Sequence, residues 1–387
     1  MKRTLLYIIA LLLPFAASAQ DLKSAFNPEQ YGVTSLAIAP DARAGAMGDM
    51  GVATDADCNS QYWNCSKYPW NIARAGVSAS YTPWLRKIVT GINLANISGF
   101  YRIGDYSAVS GSIRYFGMGD VALYGSEDYT FRPYELAVDV AYSRMLSRTF
   151  SMGVALRFIL SNMNYDPTQE ASPGKAFAAD ITMYHLGYLN IGSRECSMSW
   201  GLAINNFGTK INMGNSEYSE FLPSTFRLGL NFTVPFNEFN RLSLGVETYK
   251  ICVPTVPVQR EGESSEDFTR RKEEEYYSVS SIEGFFKSFG DAPGGFAEEM
   301  NEFRWSFGAE YNYNDRFFGR LGYHYEAPTK GNRQYFTVGA GFHMSVFTVD
   351  AAYCIATNAG NPLDQTMRFT LGFDLDNLKD LFGRKRR

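Results

Sequence analysis

From about Gly76 to the C-terminus the chain repeats one unit, a segment of alternating polarity followed by a connection. Side chains of an extended strand point alternately to two faces, so a period of two marks a strand between two unlike neighbours. Phe226, Leu228, Leu230, Phe232 and Val234 share one face, and Arg227, Gly229, Asn231 and Thr233 share the other. The same split separates Leu136, Val138, Val140 and Tyr142 from Ala137, Asp139, Ala141 and Ser143. It returns in Trp305, Phe307, Ala309 and Tyr311 against Ser306, Gly308, Glu310 and Asn312, and in Phe347, Val349, Ala351, Tyr353 and Ile355 against Thr348, Asp350, Ala352 and Cys354. One face is large and apolar in strand after strand, which suits lipid. The other is small, with an isolated charge per strand, which suits a crowded concave lumen.

Fourteen such segments can be marked, at 76–85, 93–103, 106–116, 134–144, 149–161, 176–187, 197–206, 224–234, 240–250, 303–313, 316–326, 333–343, 346–356 and 366–374. Their connections alternate in length. Short ones follow the even segments: Gly104-Asp105, Leu146-Ser147-Arg148, the turn around Gly192, Pro235-Phe236-Asn237, Asn314-Asp315 and Met344-Ser345. Longer ones lie between, including 117–133, 162–175, 207–223 and 251–302. An even strand count with short turns at one end and long loops at the other is the pattern of an outer-membrane barrel. A soluble sandwich has no reason to alternate its loop lengths. The reading is therefore all-β: a transmembrane antiparallel β-barrel of about fourteen strands over 73–375, with an outer loop at 251–302. Aromatic residues at 15% of the chain, 25 Tyr and 29 Phe among them, fit girdles at two membrane interfaces, although a large soluble β-protein also favours them.

Lys2 and Arg3, the apolar run Leu5 to Phe15 and the small residues Ala17-Ser18-Ala19 read as a cleavable secretory signal over 1–19. The run is too short to cross a bilayer, and no lipobox cysteine stands near the cleavage site. Beyond it, no stretch of 18 apolar residues predicts a transmembrane helix. Both chain ends are then expected on the periplasmic side, with the long loops outside. The formal charge of −4 offers no basic face for nucleic acid.

Residues 20–72 lack strand alternation and carry the small-residue stretch Ala37 to Gly48, which can thread a lumen. This segment is read as a plug, with Pro40, Asp41, Arg43, Gly45 and Gly48 as its candidate residues; a loose periplasmic extension is the alternative. Residues 376–387 form a basic periplasmic tail ending Arg384-Lys385-Arg386-Arg387. Five cysteines, with no CxxC pair, leave a Cys58–Cys65 bridge and two ordinary thiols both open.

Little in the chain points to catalysis. The histidines His185, His324 and His343 stand in no metal-ligand spacing, and GxSxG, P-loop and dinucleotide motifs are absent from the sequence. No cofactor or metal is expected. His324 and His343 fall on the polar face, where a Ser-His hydrolase of outer-membrane lipid is conceivable but has no recognisable triad. The inward charges Arg114, Asp139, Arg157, Asp180, Arg227, Glu247, Glu310, Arg320 and Asp350 are mixed in sign, and are expected to pair with one another or with the plug. The long loop is more informative. A charged stretch, Glu261 to Glu275, precedes a cluster of Tyr276, Tyr277, Ile282, Phe285, Phe286, Phe289 and Phe296. Aromatic groups of this density mark a binding surface, a membrane-dipping element or self-packing over the barrel mouth. Tyr276, Tyr277, Phe285, Phe286, Phe289 and Phe296 are the partner-binding candidates.

The stretch Leu36-Ala37-Ile38-Ala39-Pro40-Asp41-Ala42-Arg43-Ala44-Gly45-Ala46-Met47-Gly48-Asp49, continuing through Gly51-Val52-Ala53-Thr54 to Asn59-Ser60-Gln61-Tyr62-Trp63-Asn64, resembles the PorV/PorQ family of type IX secretion outer-membrane proteins. Cys65 stands where Pro or Ala is usual in that pattern. The resemblance extends over the mature chain in length and strand layout. It implies a fold like that of the FadL group, fourteen strands with an N-terminal plug. It also implies a role without bond chemistry: receiving cargo that bears a C-terminal signal domain from the type IX translocon, and carrying it to a surface attachment complex with a sortase-like partner. A FadL-like importer of hydrophobic small molecules is the alternative reading.

Overall fold

The computed structural model describes residues 26–87, 89–122, 130–163, 172–213, 217–260, 262–344, 346–358 and 361–376. Fourteen antiparallel strands close on themselves: β1 (Ala75–Pro83), β2 (Ile92–Ile103), β3 (Ser107–Met118), β4 (Tyr134–Met145), β5 (Phe150–Asn162), β6 (Gly174–Ile191), β7 (Arg194–Gly208), β8 (Thr225–Pro235), β9 (Asn240–Ile251), β10 (Arg304–Tyr313), β11 (Phe317–Tyr325), β12 (Tyr335–His343), β13 (Phe347–Ala356) and β14 (Met367–Asp374). Each pairs with its sequence neighbours, and β14 closes the barrel on β1 with Ser78 opposite Gly372. Closure leaves no edge strand whose backbone would face lipid unpaired. Among the described residues no helix is long and apolar enough to cross a membrane.

The predicted faces hold. Leu228 and Leu230 are exposed on the outer wall, whereas Arg227 and Asn231 are buried inside. Tyr81, Tyr101, Tyr142, Phe307, Phe336 and Phe369 continue that outward apolar surface around the barrel. One irregularity interrupts the ladder: the β6–β7 register shifts between Ala179 and Ile181. There Asn206 adopts a left-handed backbone (φ 58) and turns its amide into the lumen, within reach of Arg157.

Inside the wall, residues 26–74 fold without strands. Short helical turns at Thr34–Ala37, Ala42–Gly45, Ser60–Trp63 and Cys65–Trp70 are joined by extended backbone. Ala42, Ala46, Met47, Met50, Val52 and Tyr68 are wholly enclosed. The alternative of a loose extension is thereby set aside for this stretch.

Two further expectations meet the structure differently. All five cysteines are free, so Cys58 and Cys65 do not bridge. Cys58 faces Gly76, and Cys65 reaches Thr182 Oγ1 at 3.3 Å, so each thiol has its own neighbours on the wall. The two ends of the described plug and wall are placed differently. Both ends of the barrel wall lie with the short turns, where the backbone of Arg74 donates to the Asp376 carboxylate. Phe26–Tyr31, however, lies among the long loops: Asn27 N donates to Thr329 O at 3.0 Å and Tyr276 Oη to Gln30 O at 3.1 Å. The plug occupies the lumen below them, and the N-terminus itself lies outside the described residues. The signal sequence and the basic tail from residue 377 lie outside the described residues.

Candidate functional site

The lumen is filled by matching the plug to a row of inward glycines. Gly201 lies opposite Gly229, and Gly245, Gly308 and Gly322 are paired across β9, β10 and β11. Met47 to Ala53 runs along this trough: a Cβ at Gly201 would strike the Val52 carbonyl, one at Gly308 Met47, and one at Gly322 the Gly48 backbone. Gly48 has φ +74 and its own Cβ position is 2.7 Å from Tyr323 O, so both space and backbone require glycine there.

The plug candidates divide into a cap, a clamp and spacers. Asp41 caps the Ala42–Gly45 turn, accepting from Ala44 N at 2.9 Å, and also accepts from Trp63 Nε1 at 2.7 Å. Pro40 precedes it, buried. Arg43 spans to the wall, pairing with Glu310 and with Asp57. At Gly45 any side chain would collide with Arg368, which is paired with Asp49.

The inward charges pair as expected. Arg157 bridges Asp139 and Asp180, Arg227 meets Glu247, and Arg320 joins Glu310 and Asp350. Arg114 takes the other expected partner, the plug. It donates to the plug carbonyls of Ser35 (2.7 Å) and Ile38 (3.1 Å) and lies over the Tyr62 ring. Glu247, one of the inward charges, also holds the plug, and two plug side chains, Gln61 and Lys67, were not singled out from the sequence. Glu247 accepts from Gly51 N and Val52 N, Gln61 donates to Asp139, and Lys67 donates to Gly51 O. Inward glycines aligned across neighbouring strands are the sequence signal that could have located this contact.

His324 contacts Ser306 Oγ through Nδ1 at 3.0 Å and stacks on Tyr335. Ser306 is fully buried, while His324 lines the cavity at the long-loop mouth. His343 lies apart, lining the cavity at the short-turn end.

Over the opposite mouth lies the loop that follows β9. Ser264 caps a helix at Ser265–Lys272, with Glu266 and Asp267 in its first turn and Arg270, Arg271 and Lys272 in its last, an order that opposes the helix dipole. A π-turn at Glu273–Tyr277 leads to helices at Ser281–Lys287 and Phe296–Asn301. Arg271 holds the half-buried Glu263 carboxyl down to about 2. The final helix is locked to the rim by ions. Lys250 pairs with Glu299 and Glu302, and Lys330 with Glu298 (2.7 Å) and Glu302 (2.9 Å).

The six aromatic candidates separate on this scaffold. Tyr276 is buried against Phe221, and Phe285 is buried edge-on to Phe207, so both belong to the loop's own core. Tyr277 stacks on Tyr218 at 4.1 Å. Phe286 and Phe296 stand out at 68% and 81% exposure, and Phe289 is half exposed beside Phe226. Ile282 and Met300 of the same loop are exposed as well.

The family model for the type IX secretion system protein PorV matches residues 27–258, which spans the whole plug and the first nine strands. The chain belongs to the PorV family. PorV-family membership makes it an outer-membrane component of the type IX secretion system. No curated protein matches the sequence. Solved structures similar to it include the toluene transporter TbuX of Ralstonia pickettii, with 12% identity over 86% of this chain and 96% of that one and a TM-score of 0.42. The toluene transporter TodX of Pseudomonas putida has 9% identity over 90% and 98%, with a TM-score of 0.47. A FadL homologue of Pseudomonas aeruginosa has 11% identity over 90% and 100%, with a TM-score of 0.44.

Proposed function

We propose that this PorV-family barrel is a docking carrier. It receives cargo bearing a C-terminal signal domain from the type IX translocon and delivers it to the surface attachment complex, where a sortase-like partner acts. The observation that carries this reading is the contrast between the two ends of the plug's path. The lumen is occupied and fastened to the wall by buried ion pairs, whereas the aromatic loop is fastened from behind and left bare in front. A surface held rigid before binding loses less entropy on docking, and a few aromatic anchors dominate such interfaces. Phe286, Phe289 and Phe296 are the proposed anchors, with Tyr276, Tyr277 and Phe285 supporting them. The long loops then face outward, and the apolar belt holds the carrier in the membrane plane.

The importer alternative draws on a cavity of about 400 Å³ at the long-loop mouth, with Trp84, Ile92, Phe116 and Met118 on its apolar side. Passage from there to the cavity at the short-turn end requires displacing the plug, which the Arg43–Glu310 and Arg114 contacts oppose. Binding of a purified cargo signal domain to intact cells tests the carrier. Capture that depends on Phe286 and Phe296 supports it; capture unchanged by their loss overturns it.

A further inference from the structure

One hairpin breaks the ring of short turns. β2, β4, β8, β10 and β12 each stop within two residues of their last partner on the preceding strand. β6 does not. It last meets β5 at His185, opposite Phe150, and runs six residues further to Ile191. There its only described partner is β7, from Gly187 opposite Met198 to Ile191 opposite Arg194. Successive residues of a strand offer their N–H and C=O to opposite sides. Leu186 N turns to β5, donating to Thr149 O at 2.9 Å. Tyr188 and Asn190 therefore turn to that same side, where no described strand pairs with them. Unpaired peptide groups do not stand bare in hydrocarbon. The overhang belongs in the aqueous compartment at the short-turn end.

Proteins blunt a free strand edge with charge, proline or a bulge. The β8 side of this hairpin is treated in that way. β7 begins with Arg194 and Glu195, Arg194 lies over the Phe236 ring, and β8 ends in Pro235. The free side is not. Gly187-Tyr188-Leu189-Asn190-Ile191 carries no charge and no proline, and its ladder to β7 is unbroken. Its side chains are bare as well, with Tyr188 at 65% and Ile191 at 53% exposure. We infer that this edge takes one more strand: an extended, uncharged segment of a protein on the periplasmic side pairs with the backbone of Tyr188 and Asn190. This is strand addition to a sheet edge, in which main-chain bonds hold the guest and alternate side chains select it. Each of the two residues supplies one donor and one acceptor, on a stretch of about 17 Å. Leu189 and Ile191 share one face of the hairpin and Tyr188 the other, so the fitting guest carries apolar residues opposite both. The site lies at the end away from the aromatic loop. It rests only on the orientation that places the long loops outside.

Photocrosslinking in living cells tests this, with Leu189 of the full-length protein replaced by benzoylphenylalanine. One protein adduct of defined mass is expected. Asn190→Pro removes an outward N–H without touching the β7 ladder, and proline is tolerated at a sheet edge. It should lower the adduct about tenfold, the loss expected when one main-chain hydrogen bond goes and its acceptor is left unpaired. Asn190→Ala keeps the N–H and should keep the adduct. Heat-modifiable migration checks that each variant assembles, and Tyr188→Pro takes the place of Asn190→Pro if that one does not. An adduct undiminished by proline reports side-chain contact alone and overturns the inference. So does an adduct of twice the chain's mass, which makes the occupant a second copy. An adduct with lipid, or none at all, overturns it too. These failures leave the carrier reading standing. Reaction of Asn190→Cys with an impermeant maleimide on intact cells, the unsubstituted chain setting the background, would instead place the hairpin outside and remove both.

Discussion

Arg43 of the plug and Glu310 of the barrel wall meet as a fork, Nε to Oε2 at 3.1 Å and Nη2 to Oε1 at 3.0 Å. The third guanidinium nitrogen continues to Asp55 O and Asp57. Glu310 in turn accepts from Arg320, so the fork is one end of a chain that runs on to Asp350. Removing one partner of a buried pair strands the other. Arg43→Met should therefore cost about 3 kcal/mol, the low end for such a loss because Arg320 remains. Arg43→Met/Glu310→Gln should recover most of it. The urea midpoint for loss of the compact, heat-modifiable form measures both, and a single variant as stable as the parent would show that the plug is held elsewhere.

The glycine trough makes a steric prediction. Gly322→Val places a branched side chain where the Gly48 backbone lies, whereas Gly319→Ala on the opposite face of β11 meets open space. Overpacking of this kind costs about 1–3 kcal/mol. The Val variant should expose residues 26–70 to protease, and the Ala variant should not. Equal protection in both would mean that the plug yields without strain.

A third prediction concerns lipid. Leu230 lies on the outer wall between Trp200 and Val246, and Asn231 beside it is buried inside. Leu230→Arg should impair assembly, since a cation at the bilayer midplane of a barrel costs about 2–4 kcal/mol. Asn231→Ser stays within the polar lumen and should fold in normal yield. Folding into vesicles is the measurement, and equal yields would contradict the register.

These faces were legible because lipid and lumen impose opposite demands on successive residues. The segment marked at 224–234 is Thr225–Pro235 and the one at 346–356 is Phe347–Ala356. The largest miss is β6, which continues to Ile191, four residues past the marked end. Its extra residues pair with Arg194 to Ser197 beyond the first turn of alternation, where no buried face maintains the pattern. The plug carried no period because its burial is set by a wall on every side. Its composition showed that it could fit, while the placement of its first described residues depends on contacts such as Gln30 with Tyr276, 246 residues apart. The aromatic cluster was visible as a cluster only. Phe285 and Phe286 are adjacent, yet one packs on Phe207 and the other faces outward, a difference decided by residues from distant strands.

That division supplies the last prediction. Phe286→Ala/Phe296→Ala removes exposed rings without disturbing the loop's core, so it should cost about 2–4 kcal/mol of cargo binding, near a hundredfold in affinity. Phe285→Ala instead leaves a cavity beside Phe207, and truncating a buried Phe costs about 3–5 kcal/mol of local stability. It should open Arg260 to Lys272 to protease before any change in the barrel. Loop changes should spare folding of the wall, because its strands close through their own ladder. Arg43→Met and Asp139→Asn act on the plug and should leave cargo display intact where the barrel assembles. Surface display of secreted cargo, read beside heat-modifiable migration, separates the cases. Normal display in Phe286→Ala/Phe296→Ala, with uptake of hydrophobic compounds lost in the Arg43 and Asp139 variants, would replace the carrier with an importer.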